Sequence, residues 1–246
     1  MTALTKLTTT ETKLFFRDPM NVALGLGLAP ILLIILGLVP AFREPIADLG
    51  GVRTIDLYMP ILVAVAIATF GVFILPQLTA GYRAKGVLRR MRTTPVKPAT
   101  LLGAQLVMGT VMTVGLMVLL LAIARLAFGV ALPQNVLAYL VSFVLATAAT
   151  GALGLVVAAL APSASSANGI GLALYFPMLF FAGLWIPRAS MHPILVTISD
   201  FTPLGAGVAS LQDAAAGEWP QLLHLAVLLG WTLVAGALAA RFFRWE

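Results

Sequence analysis

The chain has 246 residues, 61% of them hydrophobic and only 10% charged, with a net charge of +6 and no cysteine. A soluble domain carries about a quarter charged residues because its surface must face water, so a water-exposed globule is excluded. The missing thiols exclude disulfides, zinc–thiolate sites and thiol catalysis, and basic residues that flank apolar blocks argue for membrane orientation rather than nucleic-acid binding.

Residues 1–20 open the chain without an apolar stretch of signal-peptide type, and the expectation is that they stay in the mature protein. At about 100° per residue, Leu4, Leu7, Leu14 and Phe15 share one helix face, with Lys6, Lys13 and Arg17 in a stripe beside it. That pattern predicts a helix lying in the headgroup region with its cations at anionic lipid, ended by Asp18-Pro19. The alternative is a frayed polar tail, for which Thr8, Thr9, Thr10 and Thr12 argue.

A helix crosses the hydrocarbon core with about 20 apolar residues. Six blocks qualify: 21–42, 57–78, 101–128, 136–161, 168–186 and 222–240. Prolines 19, 133, 162, 187 and 220 punctuate their ends, while Pro30, Pro60 and Pro177 fall inside spans, where neighbours must satisfy the freed carbonyl. The fold class is therefore an all-α integral membrane protein of six spans, with one transmembrane domain over residues 1–246. Residues 79–100 form one connecting segment, and 187–220 a longer loop expected to fold as short re-entrant helices.

Eleven of the 15 Lys and Arg residues lie in the termini and the 79–100 segment. The other four are Arg43, Arg53, Arg125 and Arg188. By the positive-inside rule both termini are cytoplasmic, in agreement with an even number of spans. Within 79–100, Val87, Leu88 and Met91 fall on one side of a short helix, and Arg83, Lys85, Arg89, Arg90 and Arg92 cover the rest. An apolar ridge directed away from the membrane would be a liability unless a cytosolic partner buried it. Without a partner, the same segment is a positive-inside anchor.

The chain shows no engine of its own. Gly81 and Gly86 have phosphate-loop spacing, but Val87 and Leu88 follow where Lys and Ser/Thr are required. No ionisable side chain occupies the middle of a span, although gradient-driven carriers use such residues to move protons. A sodium-coupled carrier built on backbone carbonyls remains the alternative. A membrane enzyme fares worse, with no nucleophile elbow, no intramembrane aspartate pair, and His192 and His224 too far apart for a two-histidine zinc motif. The uncharged polar residues of the spans (Thr69, Gln77, Gln105, Thr110, Thr113, Ser142, Thr147, Thr150) serve interhelical bonding more often than a pathway. Small residues at Thr147/Gly151 and at Gly230, Gly236 and Ala240 permit close helix contact.

Several motifs occur in fixed order: Phe16-Arg17-Asp18-Pro19, Gly86 followed by Arg90-Met91-Arg92-Thr93-Thr94-Pro95, Phe181-Ala182-Gly183-Leu184-Trp185-Ile186-Pro187, and Phe201-Thr202-Pro203-Leu204. With them the whole chain resembles the type-2 ABC exporter permeases, including the daunorubicin-resistance-type drug exporters of actinomycetes. That resemblance implies an interfacial elbow helix at residues 4–17 and a coupling helix near 81–94 that docks on a separate ATPase. Arg83, Lys85, Gly86, Val87, Leu88, Arg89, Arg90 and Met91 would supply the docking surface. Many members carry acids in this motif where the present chain has Ala84 and Arg89, which points to a more acidic groove on the ATPase. ATP and Mg would sit on that subunit, none on this non-catalytic chain. A second copy or a related permease would complete the pathway in a bacterial cell membrane. An apolar or amphiphilic cargo, a drug or a lipid, would contact Tyr175, Phe176, Phe180 and Phe181 in a dimer cavity, unless those aromatics simply face lipid.

Overall fold

The computed structural model describes residues 3–46, 51–91 and 98–242, the side chains of Arg89, Met91, Pro98 and Ala99 excepted. Arg92–Lys97, with the last part of the connecting motif, lies outside the described residues. The first helix, Ala3–Arg17, is fully formed. Its threonines do not fray it, because Thr8, Thr9, Thr10 and Thr12 each turn the hydroxyl back onto the carbonyl four residues earlier. Asp18 ends this helix and caps the next, its carboxylate accepting the Met20 and Asn21 backbone N–H groups.

Six helices are long and apolar enough to cross a membrane: Pro19–Leu38, Thr54–Ala84, Thr100–Phe128, Val136–Leu160, Ala164–Phe181 and Leu222–Phe242. We call them the first to sixth spans. The second runs farther than its apolar pattern implies, continuing to Ala84 through Pro76. A π-helical stretch, Thr69–Ile74, precedes that proline, and Pro76 enters the following α-segment in its first two positions, where a missing N–H costs little. The fifth starts earlier than expected because Ser163 caps it through the Ser166 N–H. It also stops earlier, at Phe181, where Gly183 takes a left-handed φ of 93° that closes the helix.

The second span is the axis of the bundle. Ile61–Ala68 are at most 2% exposed, and 83% of its apolar window is buried, against 22–33% in the first, third, fifth and sixth spans. Those four present large apolar side chains outward (Ile31, Ile35, Val111, Val118, Phe176, Leu233, Val234), as helices facing lipid do. Close packing around the axis rests on glycine. A Cβ on Gly154 of the fourth span would overlap the Gly71 carbonyl of the second, and one on Gly171 of the fifth would come within 3.1 Å of the Val72 carbonyl. A Cβ added at Gly230 or Gly236 would meet nothing within 4 Å.

The spans alternate in direction, so one end of the bundle holds the interfacial helix and the end of the sixth span. At the opposite, far end, Pro45–Ile46 pairs antiparallel with Val52–Arg53. Arg53 grips Asp56 at 2.7 Å and the carbonyls of Phe128 and Gly129 at the end of the third span. The long loop folds as expected into two short helices, Pro193–Asp200 and Pro203–Ala215, bent by 98°.

Candidate functional site

At the terminal end, the interfacial helix, the end of the second span and the start of the third converge on Glu11, which is 4% exposed. Tyr82 donates its hydroxyl to the Glu11 carboxylate, 3.0 Å from one oxygen and 3.2 Å from the other. Gln105 donates its amide from 3.4 Å and accepts from Thr79 at 2.9 Å. Burial pushes the Glu11 carboxyl up from the usual 4.5, while the Tyr82 and Gln105 hydrogen bonds pull the other way. Phe15, one helical turn on, is 2% exposed and packs against Phe70 with ring centroids 5.4 Å apart.

The connecting segment is held to the same cluster. Gly86 takes φ 68°, a left-handed turn that lets Val87–Met91 start a new short helix. Leu88 of that helix is 1% exposed and packs against Leu101 and Ala159, with Leu7 and Tyr82 alongside. Arg83 reaches the carbonyls of Ala158 and Ala161, 2.9 and 3.0 Å away, and so caps the end of the fourth span. The structure thus turns two of the eight sequence-predicted docking side chains, Arg83 and Leu88, toward the chain itself. Lys85 and Arg90 stay exposed, Gly86 and Val87 are half-buried, and the side chains of Arg89 and Met91 lie outside the description. Of the interfacial set, Phe15 points inward, Leu7 is partly buried, and Leu4, Leu14 and Arg17 are exposed.

Gln105 also ends a groove of about 420 Å³ between the second, third, fourth and sixth spans. Its walls are mostly apolar, with Gly71, Gly109, Gly151 and Ala148 among the lining residues and Thr110, Thr113 and Thr147 as polar points. Thr110 and Thr113 bond back to their own helix. The Thr147 hydroxyl is buried and has no partner among the described residues. The fifth-span aromatics stand elsewhere. Tyr175 is 7% exposed and shares a 2.8 Å hydrogen bond with Thr69 in the core. Phe176 is 53% exposed beside Trp185, and Phe180 and Phe181 are half-buried.

A second polar cluster ties the far end together. Arg188 bonds Ser199 and pairs with Asp200. Asp200 meets the His224 imidazole of the sixth span at 3.1 Å, and Ser199 donates to the Phe181 carbonyl at 2.6 Å. His224 is thus partnered through Nε2, while its buried Nδ1 has no partner among the described residues.

Sequence reasoning singled out Gln105 but missed Glu11, Tyr82 and Thr79. The signal available for Glu11 was its being the one acid of an otherwise basic and threonine-rich helix.

A family model described as ABC-2 type transporter matches residues 2–215, the interfacial helix and first five spans included. Among the curated proteins, none matches.

Proposed function

The chain belongs to the ABC-2 type transporter family, as a membrane-embedded permease component, and from that premise we propose that it is the membrane half of an exporter energised by a separate ATPase subunit. It moves an apolar or amphiphilic molecule, a drug or a lipid, out of the inner leaflet of a bacterial cell membrane. Both termini are cytoplasmic, and a second copy or a related permease completes the pathway.

The observation that carries this reading is the sharing of Gln105. One face of it ends the apolar groove, and its amide belongs to the Glu11–Tyr82 cluster, beside which the connecting segment carries exposed Lys85 and Arg90. A pull on that stretch by an ATPase closing around ATP is transmitted through Tyr82 and Arg83 to the groove wall and to the end of the fourth span. An apolar cargo suits the groove, whose small residues leave room and whose Thr147 hydroxyl offers one hydrogen bond.

The test is ATP turnover of the ATPase encoded beside this chain, in lipid nanodiscs with and without the permease. The complex is expected to turn over at a rate different from the ATPase alone. Reversing the exposed charges in Lys85→Glu/Arg90→Glu is expected to weaken assembly by about tenfold, as loss of interfacial charge complementarity does. Full assembly and coupling in that variant would remove the docking assignment. Absence of any complex with a competent ATPase would favour an ion-gradient carrier.

A further inference from the structure

A cavity of about 650 Å³ opens at the far end, between the hairpin, the start of the second span, the loop before the fourth and the end of the second short helix. Leu57, Met59 and Leu121 give it apolar walls, and four charged residues line it: Asp56, Asp213, Glu218 and Arg188. Two of these are compensated, Asp56 by Arg53 and Arg188 by Asp200. The other two are not. The Asp213 carboxylate accepts only the Gln221 backbone N–H, at 3.4 Å, and among the described residues no cation pairs with it or with Glu218.

Tyr139, from the first turn of the fourth span, supplies the independent observation. It is 3% exposed and lines this cavity, yet its hydroxyl has no hydrogen-bond partner among the described residues. The residue is buried but its oxygen opens on the cavity, so the partner it lacks within the chain can come from an occupant. Here the ring forms part of the cavity wall and the oxygen lone pairs are open to an occupant.

We infer that this cavity is a binding site for an organic cation with an apolar body, its positive centre held by Asp213 and Glu218 and its apolar part by Tyr139, Leu57 and Met59. The volume falls within the roughly 300–1,000 Å³ of small-molecule pockets. A bare metal ion is the poorer occupant, because the described residues bring no three acidic or histidine ligands together. The inference rests on the transporter reading in one respect only, that an occupant is cargo on its way out; the binding itself stands on the cavity.

The experiment therefore needs no ATPase. The chain is placed in nanodiscs of zwitterionic lipid, and binding of tetraphenylphosphonium and of its anionic isostere tetraphenylborate is measured by equilibrium dialysis. The cation is expected to bind saturably, more weakly as salt rises, and about tenfold more weakly to Asp213→Asn/Glu218→Gln. Tyr139→Leu, checked for an unchanged melting temperature, should lose a few-fold; if its melting temperature falls, the carboxylate pair alone decides. Equal binding of the anion, equal affinity in the carboxylate variant, or no saturable binding would each overturn the site. An ATPase that fails to couple while this binding persists would sink the transporter reading alone.

Discussion

Glu11 is the one carboxylate on the interfacial helix, and its surroundings set the sign of its pH dependence. Burial holds its proton more firmly in the native chain than in the unfolded one, where the ordinary value is 4.5. Stability from this group is fully present below that value and is lost as pH rises through the raised native one. Glu11→Gln keeps the shape and removes the titration. Thermal unfolding in micelles across the acid range should therefore show a melting temperature that falls with rising pH in the parent and stays flatter in the variant. Parallel profiles would mean that the carboxyl does not titrate where the structure puts it. Tyr82→Phe tests the same cluster from the other side. It strips the strongest donor from a buried carboxylate, at about 1–3 kcal/mol, and should lower stability more at neutral pH than in acid. None of this was legible along the helix. The partners lie 71 and 94 residues away, and amphipathic periodicity reports which face is apolar, not which polar residue will be roofed over.

At the scale of elements, the six spans were legible because bilayer-length apolar blocks are a strong signal, and the larger shifts of their ends came where caps and proline placement intervened. The packing between them was not legible. A Cβ added at Gly230 or Gly236 of the sixth span would meet nothing within this chain, whereas the tight crossing is Gly71 on Gly154, in helices whose sequence contains many glycines of equal appearance. A glycine's need for closeness depends on what lies opposite it. Gly154→Ala should accordingly lose about 1–3 kcal/mol, the usual cost of overpacking, while Gly230→Ala, with nothing within 4 Å, should be neutral or gain from better helix propensity. Melting temperatures of the two purified variants separate the cases, and equal losses would refute the crossing. The short helix after Gly86 gives the same lesson. The sequence expected an outward ridge of Val87, Leu88 and Met91, and in the structure Leu88 folds back against Leu101 and Ala159. Aspartate at Leu88 would therefore unfold the segment, which is why exposed Lys85 and Arg90 are the informative positions for docking.

For the whole molecule, the two ends differ in charge and in kind. In the sequence eleven basic residues fall in the termini and the 79–100 segment, whereas Asp213 and Glu218 are among the acids of the far end. Such asymmetry orients a helical bundle with its basic end in the cytoplasm. The same polarity would let anionic headgroups hold the interfacial helix while a far-end acidic cavity draws a cation outward, so orientation is the premise on which docking and exit both depend. It is testable directly, because the sequence has no cysteine to remove. Ala84→Cys and Ala216→Cys place one thiol at an exposed position at each end. In intact cells a membrane-impermeant maleimide should label Ala216→Cys and spare Ala84→Cys, with both reacting once the membrane is opened. The reverse pattern would put Lys85 and Arg90 beyond the reach of any cytosolic ATPase, and the proposed energy source would fall with the orientation.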